Sequence, residues 1–273
     1  MKRNIFILIL LLISLHNLIA NENKESDMIQ AFYKLEFTLD SLQTNKTTVL
    51  TELLVYENES WFRSISRGIF DTVQYYGKQA TRVYDPQQGQ RMNYLINKNY
   101  ISGDIRYYSP LKAIWQDYCY YDENEKALDW HLTSDTVIRN GISLQKATLD
   151  FGNRKWIAYF NPEIPINDGP YKFCGLPGLI FEIKDETETW KFTLLKLVRA
   201  KHGPFDHKFL DQAKQMDKVS FHKLERKLFD NNVQEMESRG EIRFKSAADR
   251  QRAIDRRKEK SKHYNNPIEL LRW

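Results

Sequence analysis

The chain has 273 residues, of which 41% are hydrophobic and 13% aromatic, and its formal net charge is +5. This composition excludes an intrinsically disordered chain, and the length suffices for one large domain or two small ones with a sizeable core. So small a positive charge points to no particular class of partner, and we expect no binding of nucleic acid.

The first 20 residues have the pattern of a secretory signal peptide. Lys2 and Arg3 precede an apolar block over residues 5–13, and the segment closes at Ala20, which is the order of regions in such a signal. A retained membrane anchor is the alternative, but the block is shorter than the roughly 20 apolar residues that a membrane span needs. We therefore predict an exported chain, located in the periplasm or at the cell surface after removal of this segment.

Residues 21–200 are predicted to form an antiparallel sheet domain. Residues 28–40 alternate between apolar and mostly polar side chains, which is the period of a half-buried antiparallel strand. Short runs rich in β-branched and aromatic residues follow, with hairpin turns at Gly141 and at Gly152-Asn153. The runs are 49–56, 61–65, 91–96, 113–120, 130–138, 142–151, 154–160, 179–184 and 190–198. Because no helical pattern separates them, we predict a curved antiparallel meander, half-barrel-like and packed by C-terminal helices.

Residues 201–273 are predicted to be a helical region that packs on or flanks the sheet. Phe221, Leu224 and Leu228 share one face of a helix that Ser220 would cap.

A second helix is predicted over residues 247–263, where Ser246 and Asp249 have capping-box spacing. This helix carries many arginines and lysines, a pattern that also occurs in segments that bind nucleic acid or anionic lipid. Acidic residues are interspersed and the helix has almost no apolar face, so we interpret it as a solvated helix.

Residues 161–178 contain four prolines and run into the sequence GLPGLI. Proline lacks a backbone donor and disfavours a helix, so we predict an ordered, non-helical loop. Pro177 and Gly178 suit the two central positions of a type II turn. Side-chain alternation then places Leu179, Phe181 and Ile183 on one face of the next strand and Ile180 on the other. The motif itself contains only aliphatic side chains or none, so we expect it to be a structural corner rather than a catalytic site. Its residues are Gly175, Leu176, Pro177, Gly178, Leu179 and Ile180.

The same residues carry a family resemblance. Residues 175–180 match the motif that names the GLPGLI family of exported Bacteroidetes proteins, and residues 156–171 resemble the positions that precede it. Residues 266–270 resemble the family's closing segment. The resemblance implies an exported protein but no reaction, because the family has no settled activity. Leu144 stands where relatives often have cysteine, so a disulfide usual in the family would lack that partner here.

The chain has only two cysteines, Cys119 and Cys174. In an oxidising compartment they are a candidate disulfide that would tie the loop to the sheet. Two unbonded cysteines are the alternative, because buried free cysteine is common in proteins.

No catalytic, metal-binding or cofactor-binding pattern is visible in the sequence. His202 and His207 flank a Gly-Pro turn at a spacing unlike that of two metal ligands on one helix face. Asp168, beside Gly169 and Pro170, is typical of a turn. An enzyme would therefore need a site that forms only in three dimensions.

We accordingly expect an exported, non-catalytic binding or structural protein. Trp156, Tyr159, Tyr171 and Phe173 are candidates for an interaction surface, although core packing also explains buried aromatic residues. A half-barrel also suits a periplasmic carrier of a lipophilic ligand, by analogy of architecture alone. The partner would thus be an envelope protein or a lipophilic molecule.

Overall fold

The computed structural model describes residues 26–68, 92–110, 118–202 and 207–270. The predicted signal peptide and the start of the predicted strand 113–120 lie outside these ranges. None of the helices within the ranges is both long and apolar enough to cross a membrane.

Twelve strands within the described residues form one open, curved, mixed sheet. The strands are β1 (Ser26–Phe37), β2 (Thr47–Val55), β3 (Glu59–Ser64), β4 (Leu95–Asn99), β5 (Asp104–Pro110), β6 (Tyr118–Asn124), β7 (His131–Arg139), β8 (Ile142–Phe151), β9 (Arg154–Asn161), β10 (Leu179–Asp185), β11 (Trp190–His202) and β12 (Lys214–Gln215). Their order is β12-β6-β5-β4-β3-β2-β1-β11-β10-β9-β8-β7. The predicted meander is confirmed, whereas β5 and the two-residue β12, which pairs parallel with β6, were not predicted.

The sheet consists of two meanders joined along one seam. Strands β1 to β6 form the first and β7 to β11 form the second, and β1 pairs antiparallel with β11 between them. The hairpin turns lie where they were predicted, because Asn140, Gly141, Gly152 and Asn153 all have positive φ values of 49°, 80°, 61° and 57°. Positive φ at both central residues is characteristic of the two-residue turns that suit twisted strands.

Three helices follow the sheet: α1 (Lys218–Asp230), α2 (Asn232–Ser238) and α3 (Ala247–Lys262). Asp217 caps α1, since its side chain accepts a hydrogen bond of 2.9 Å from the Ser220 amide, so the prediction of Ser220 as the cap was wrong. The cap of α3 is confirmed, because the Ser246 hydroxyl accepts a hydrogen bond of 3.1 Å from the Asp249 amide. Helix α2 was not predicted.

The main core lies on the face of the sheet that the loop 162–178 and α1 cover. Strands, loop and helix all contribute fully buried rings: Tyr33, Phe62, Trp156, Phe160, Tyr171, Phe173, Phe192 and Phe221. A smaller cluster, which includes Leu54 and Tyr108, lies on the opposite face, because neighbouring residues of a strand point to opposite sides. The predicted apolar face of α1 is confirmed, with Phe221 buried and Leu224 and Leu228 packed against the main core.

Candidate functional site

The loop 162–178 is held to the sheet by its own backbone. The amides of Gly175, Leu179 and Ile180 donate to the carbonyls of Asn167, Ile164 and Asp168 over 2.9, 3.2 and 3.0 Å. On the sheet side, the Tyr33 hydroxyl donates to the carbonyl oxygen of Ile180 over 2.7 Å. The loop is therefore ordered and non-helical, as its prolines predicted.

The turn in this loop differs from the predicted type II turn. The Gly178 amide donates to the Leu176 carbonyl over 2.8 Å, which closes a three-residue turn centred on Pro177. A Cβ on Gly178 would lie 2.6 Å from the Asn161 carbonyl carbon and 2.8 Å from Pro162 Cα. Glycine is required there because two backbone segments approach closely.

The predicted alternation after the turn was also wrong. Leu179, Ile180 and Ile183 are all buried in the main core, whereas Phe181 is only partly buried. The register of β10 against β9 shifts between Ile180 and Glu182, so Phe181 is the extra residue of a bulge. A bulge reverses the side-chain phase of the residues that follow it, which brings Ile180 and Ile183 into the same core.

Two charged side chains of the loop are buried and paired with other parts of the chain. The first is Asp168, which pairs with Lys98 of β4 and accepts a 2.6 Å hydrogen bond from the Tyr100 hydroxyl. Lys98 also donates to the Gly169 carbonyl over 2.7 Å. Asp168 is thus more than the turn residue that the sequence predicted, because it fixes the loop to β4.

The second buried charge of the loop is Lys172, which belongs to a group that we call the clamp cluster. The cluster consists of Tyr171, Lys172, Lys218, Glu123 and Glu269. The Lys172 side chain is only 1% exposed, and its Nζ pairs with Glu123 and with Glu269, the latter at 2.5 Å. The loop, the start of α1, β6 and residues near the C-terminal end thereby meet at one point.

Glu269 is the most completely bound member of the clamp cluster. Its Oε1 accepts hydrogen bonds from Lys172 Nζ and the Tyr171 hydroxyl, both over 2.5 Å, and its Oε2 accepts one from Lys218 Nζ over 2.5 Å. Burial alone raises the pKa of Glu269, but the positive charges of Lys172 and Lys218 outweigh it and hold the pKa at about 2. Glu269 is therefore ionised at neutral pH.

A chain of hydrogen bonds leads from the clamp cluster toward the surface. Lys172 Nζ donates to the Tyr121 hydroxyl over 2.9 Å, and that hydroxyl lies 3.1 Å from His222 Nε2. His222 Nδ1 lies 3.2 Å from Glu225 on the next turn of α1. Histidine, tyrosine and lysine side chains all serve in acid–base catalysis, and each can do so only in the right protonation state.

The resolved pKa shifts fix the protonation state of four groups in and near the cluster. Burial raises the pKa of Tyr121 and of Tyr171, and burial raises the pKa of the Cys174 thiol to about 12. A general acid or base works best with a pKa near the working pH, and a nucleophilic cysteine needs a lowered one. The phenols and this thiol are instead held neutral, and Glu269 is held charged.

Three of the four aromatic residues expected at an interaction surface lie in the core. Trp156, Tyr171 and Phe173 are buried, so for them the expectation was wrong and core packing was the correct alternative. Phe173 of the loop packs on Trp156 of β9, and their ring centroids are 4.7 Å apart. Tyr159 is half-buried, and Arg139 lies 5.9 Å from its ring.

The structure contains both cysteines as thiols and so does not show the candidate disulfide. Cys119 lies in β6, where it is paired in register with Ser109 and Lys214. Cys174 is buried in the loop, and its backbone forms an isolated β-bridge with that of Asp168. Trp130 ties the loop instead, since its Nε1 donates to the Cys174 carbonyl over 2.7 Å.

His202 and His207 are the two histidines singled out in the sequence. His202 ends β11, and the ring of His207 stacks on Trp61 with centroids 5.3 Å apart. Within the described ranges, no group of three or more His, Cys, Asp or Glu side chains is arranged to hold a metal ion.

The sequence did not identify the clamp cluster. Lys172 stands between Tyr171 and Phe173 in a proline-rich loop, and a charged residue among buried rings is a signal that it needs a buried partner. Glu269 stands in an irregular segment 97 positions further along the chain. Nothing in the spacing of the two indicates that they meet.

Comparisons with known proteins give one partial match to a family model and no activity. Residues 105–182 match the model of a family described as "Protein of unknown function (Porph_ging)". That span includes the GLPGLI sequence and the whole loop 162–178. No curated protein matches the chain.

Two solved structures are similar in fold. They are the structures of PNGF-II in space groups C2 and P21, each 10% identical in sequence, with TM-scores of 0.54 and 0.52. The similarity covers 75% and 73% of this chain but only 34% and 33% of those chains. This chain thus spans about a third of the length of the PNGF-II chains it matches, and at such low identity the likeness concerns the fold alone.

Proposed function

We propose that the chain is an exported, non-catalytic member of the GLPGLI family that binds another protein of the cell envelope. Export is supported by the charged and apolar start of the sequence. N-terminal sequencing of the mature protein tests it, because an intact Met1 would contradict removal of the first 20 residues.

The observation that carries the non-catalytic proposal is how the clamp cluster is satisfied. Its two lysines and two glutamates pair with one another, and Lys172 and Glu269 are almost completely buried. Catalytic groups are usually poised with shifted pKa values near neutrality, whereas Glu269 is held far from it. Such a cluster serves to join chain segments.

The packing of the main core favours a protein partner over a lipophilic ligand. The lipophilic-carrier hypothesis places its ligand on the helix-covered face of the sheet. Phe173 and Leu176 of the loop and Phe221 of α1 are buried on that face, so the chain fills this part of it with its own side chains. Native mass spectrometry after gentle extraction is the test, and bound lipid at stoichiometric level would favour the carrier.

The hairpin β7–β8 is the surface that we assign to the partner. Strand β7 ends the sheet order, and the hairpin exposes Leu132, Ile138 and Ile142 by 50%, 73% and 37%. Single exposed apolar residues are common, but several on one hairpin are typical of an interaction site.

A site-specific photo-crosslinker tests this assignment in the exported, full-length chain. It is placed at Ile138 and, as a matched control, at Leu42, which is also strongly exposed but outside the hairpin. The protein captured at Ile138 is then purified, and its affinity is measured for the wild type, Ile138→Asp and Leu42→Asp. Loss of affinity in Ile138→Asp alone supports the proposal, and equal affinity of all three chains would contradict it.

A further inference from the structure

The segment from Tyr264 to Leu270, here called the C-terminal strap, packs against the folded chain, and the set of residues that it contacts there is called the groove. It forms no helix or strand, yet two of its polar side chains, Asn266 and Glu269, are buried at 7% and 4% exposure. Asn266 and Glu269 are thus two buried polar anchors, three residues apart, in an otherwise irregular segment.

Asn266, the first anchor, has all its polar groups bound. Its side-chain amide donates to the Thr38 carbonyl over 2.8 Å, and its side-chain oxygen accepts from Arg154. Its backbone amide donates to the Leu39 carbonyl over 2.9 Å, and its own carbonyl accepts from Trp190 Nε1 over 3.2 Å.

Arg154 connects this anchor to the second one. Besides Asn266, it donates to the carbonyls of Pro267 and Ile268 over 2.7 and 3.1 Å, and it pairs with buried Asp185 at 2.8 Å. The strap then places Glu269 in the clamp cluster, and the Leu270 amide donates to the Gly152 carbonyl over 2.7 Å.

We propose that this groove is a peptide-binding site that recognises a segment with asparagine and glutamate three residues apart. We further propose that the strap of a second copy of this chain can occupy it. The hydrogen bonds and ion pairs named above link the strap to the groove without requiring that both belong to one chain. Exchange of an identical element between copies is a common route to dimers.

The chain's own strap has the advantage of being tethered. A short connection gives it an effective concentration on the order of millimolar, so a strap from outside competes only when the tethered one is weakened or the protein is concentrated. Weakening the tethered anchors therefore makes the groove accessible to a probe.

The test uses the full chain with Asn266→Ala and Glu269→Ala, and a fluorescein-labelled peptide of residues 263–270. The control peptide carries Glu269→Gln. Fluorescence anisotropy should give saturable one-to-one binding of the first peptide to the variant. The control peptide should bind about tenfold or more weakly, because it lacks the charge that meets two lysines. The wild-type chain should bind the first peptide at least tenfold more weakly than the variant does, because its groove is filled.

Circular dichroism establishes that the variant is folded before binding is measured. A folded variant that binds neither peptide, or binds both equally, would overturn the proposal, as would a wild-type chain that binds as tightly as the variant. If the double variant does not fold, Asn266→Ala alone is compared with the wild type in the same way, with the same outcomes.

Discussion

Replacing Glu269 by glutamine should lower the free energy of unfolding substantially, since the change keeps the shape of the side chain and removes its charge. Lys172 and Lys218 would then have one carboxylate, that of Glu123, as their common ion-pair partner. A pKa that falls from 4.5 to about 2 on folding corresponds to about 3 kcal/mol of preference for the ionised form. Breaking a buried ion pair on one side costs about 3–5 kcal/mol in other proteins, so we expect a loss of about 3 kcal/mol.

Urea unfolding at pH 7, followed by tryptophan fluorescence, measures this loss. Glu188→Gln is the matched control, because Glu188 pairs with Lys184 at 2.5 Å but its side chain is 49% exposed. The control should change stability little, since exposed ion pairs contribute little. An unchanged urea midpoint and slope for Glu269→Gln would refute the view that the clamp cluster joins the loop and the strap.

The same residue predicts a pH dependence with a definite sign. The pKa of Glu269 is lower in the folded chain than in the unfolded chain, so its contribution is fully present above about pH 4.5 and is lost as the pH falls toward 2. The wild type should therefore lose stability over this window more steeply than Glu269→Gln. Parallel curves for the two chains would mean that other carboxylates cause the acid sensitivity.

Further predictions concern the turn, a helix cap and a thiol. Gly178→Ala should destabilise the fold by about 3 kcal/mol or more, because a Cβ there would overlap the backbone of residues 161–162. Gly240→Asn, at a positive φ with nothing within 4 Å, should by contrast be nearly neutral in thermal unfolding. Asp217→Ala should lower stability by about 1 kcal/mol through loss of the α1 cap, and a circular dichroism melt with unchanged midpoint would contradict this. Cys174 should react with a thiol reagent only after unfolding, given its burial and raised pKa, so rapid native labelling mapped to it by mass spectrometry would be the contrary result.

Local patterns predicted the elements of this fold well, because each depends on neighbouring residues. The alternation around Tyr33 defined β1, and Gly141 and Gly152 marked the hairpins. Pro177 correctly predicted a tight turn, but its type depends on how closely Asn161 approaches Gly178, which is a contact between separate segments.

The clamp cluster could not be predicted for the same physical reason. Lys172 and Glu269 are 97 positions apart, and no periodicity links a loop to a distant irregular segment. Trp156 also shows the limit of composition, since a tryptophan in a strand has the same sequence signal whether it faces a partner or the core.

The pairing of β1 with β11 has a consequence for how this chain folds. Phe37 lies opposite Trp190, and their rings stack with centroids 4.7 Å apart. During synthesis β1 is made long before β11, so one edge of the first meander remains open until nearly the whole sheet has been produced. Contacts between such distant segments slow folding, and an open strand edge favours aggregation while it lasts. The final step of sheet assembly is therefore expected to be the joining of two preformed halves, and its speed should depend on how well each half is kept from pairing with other chains.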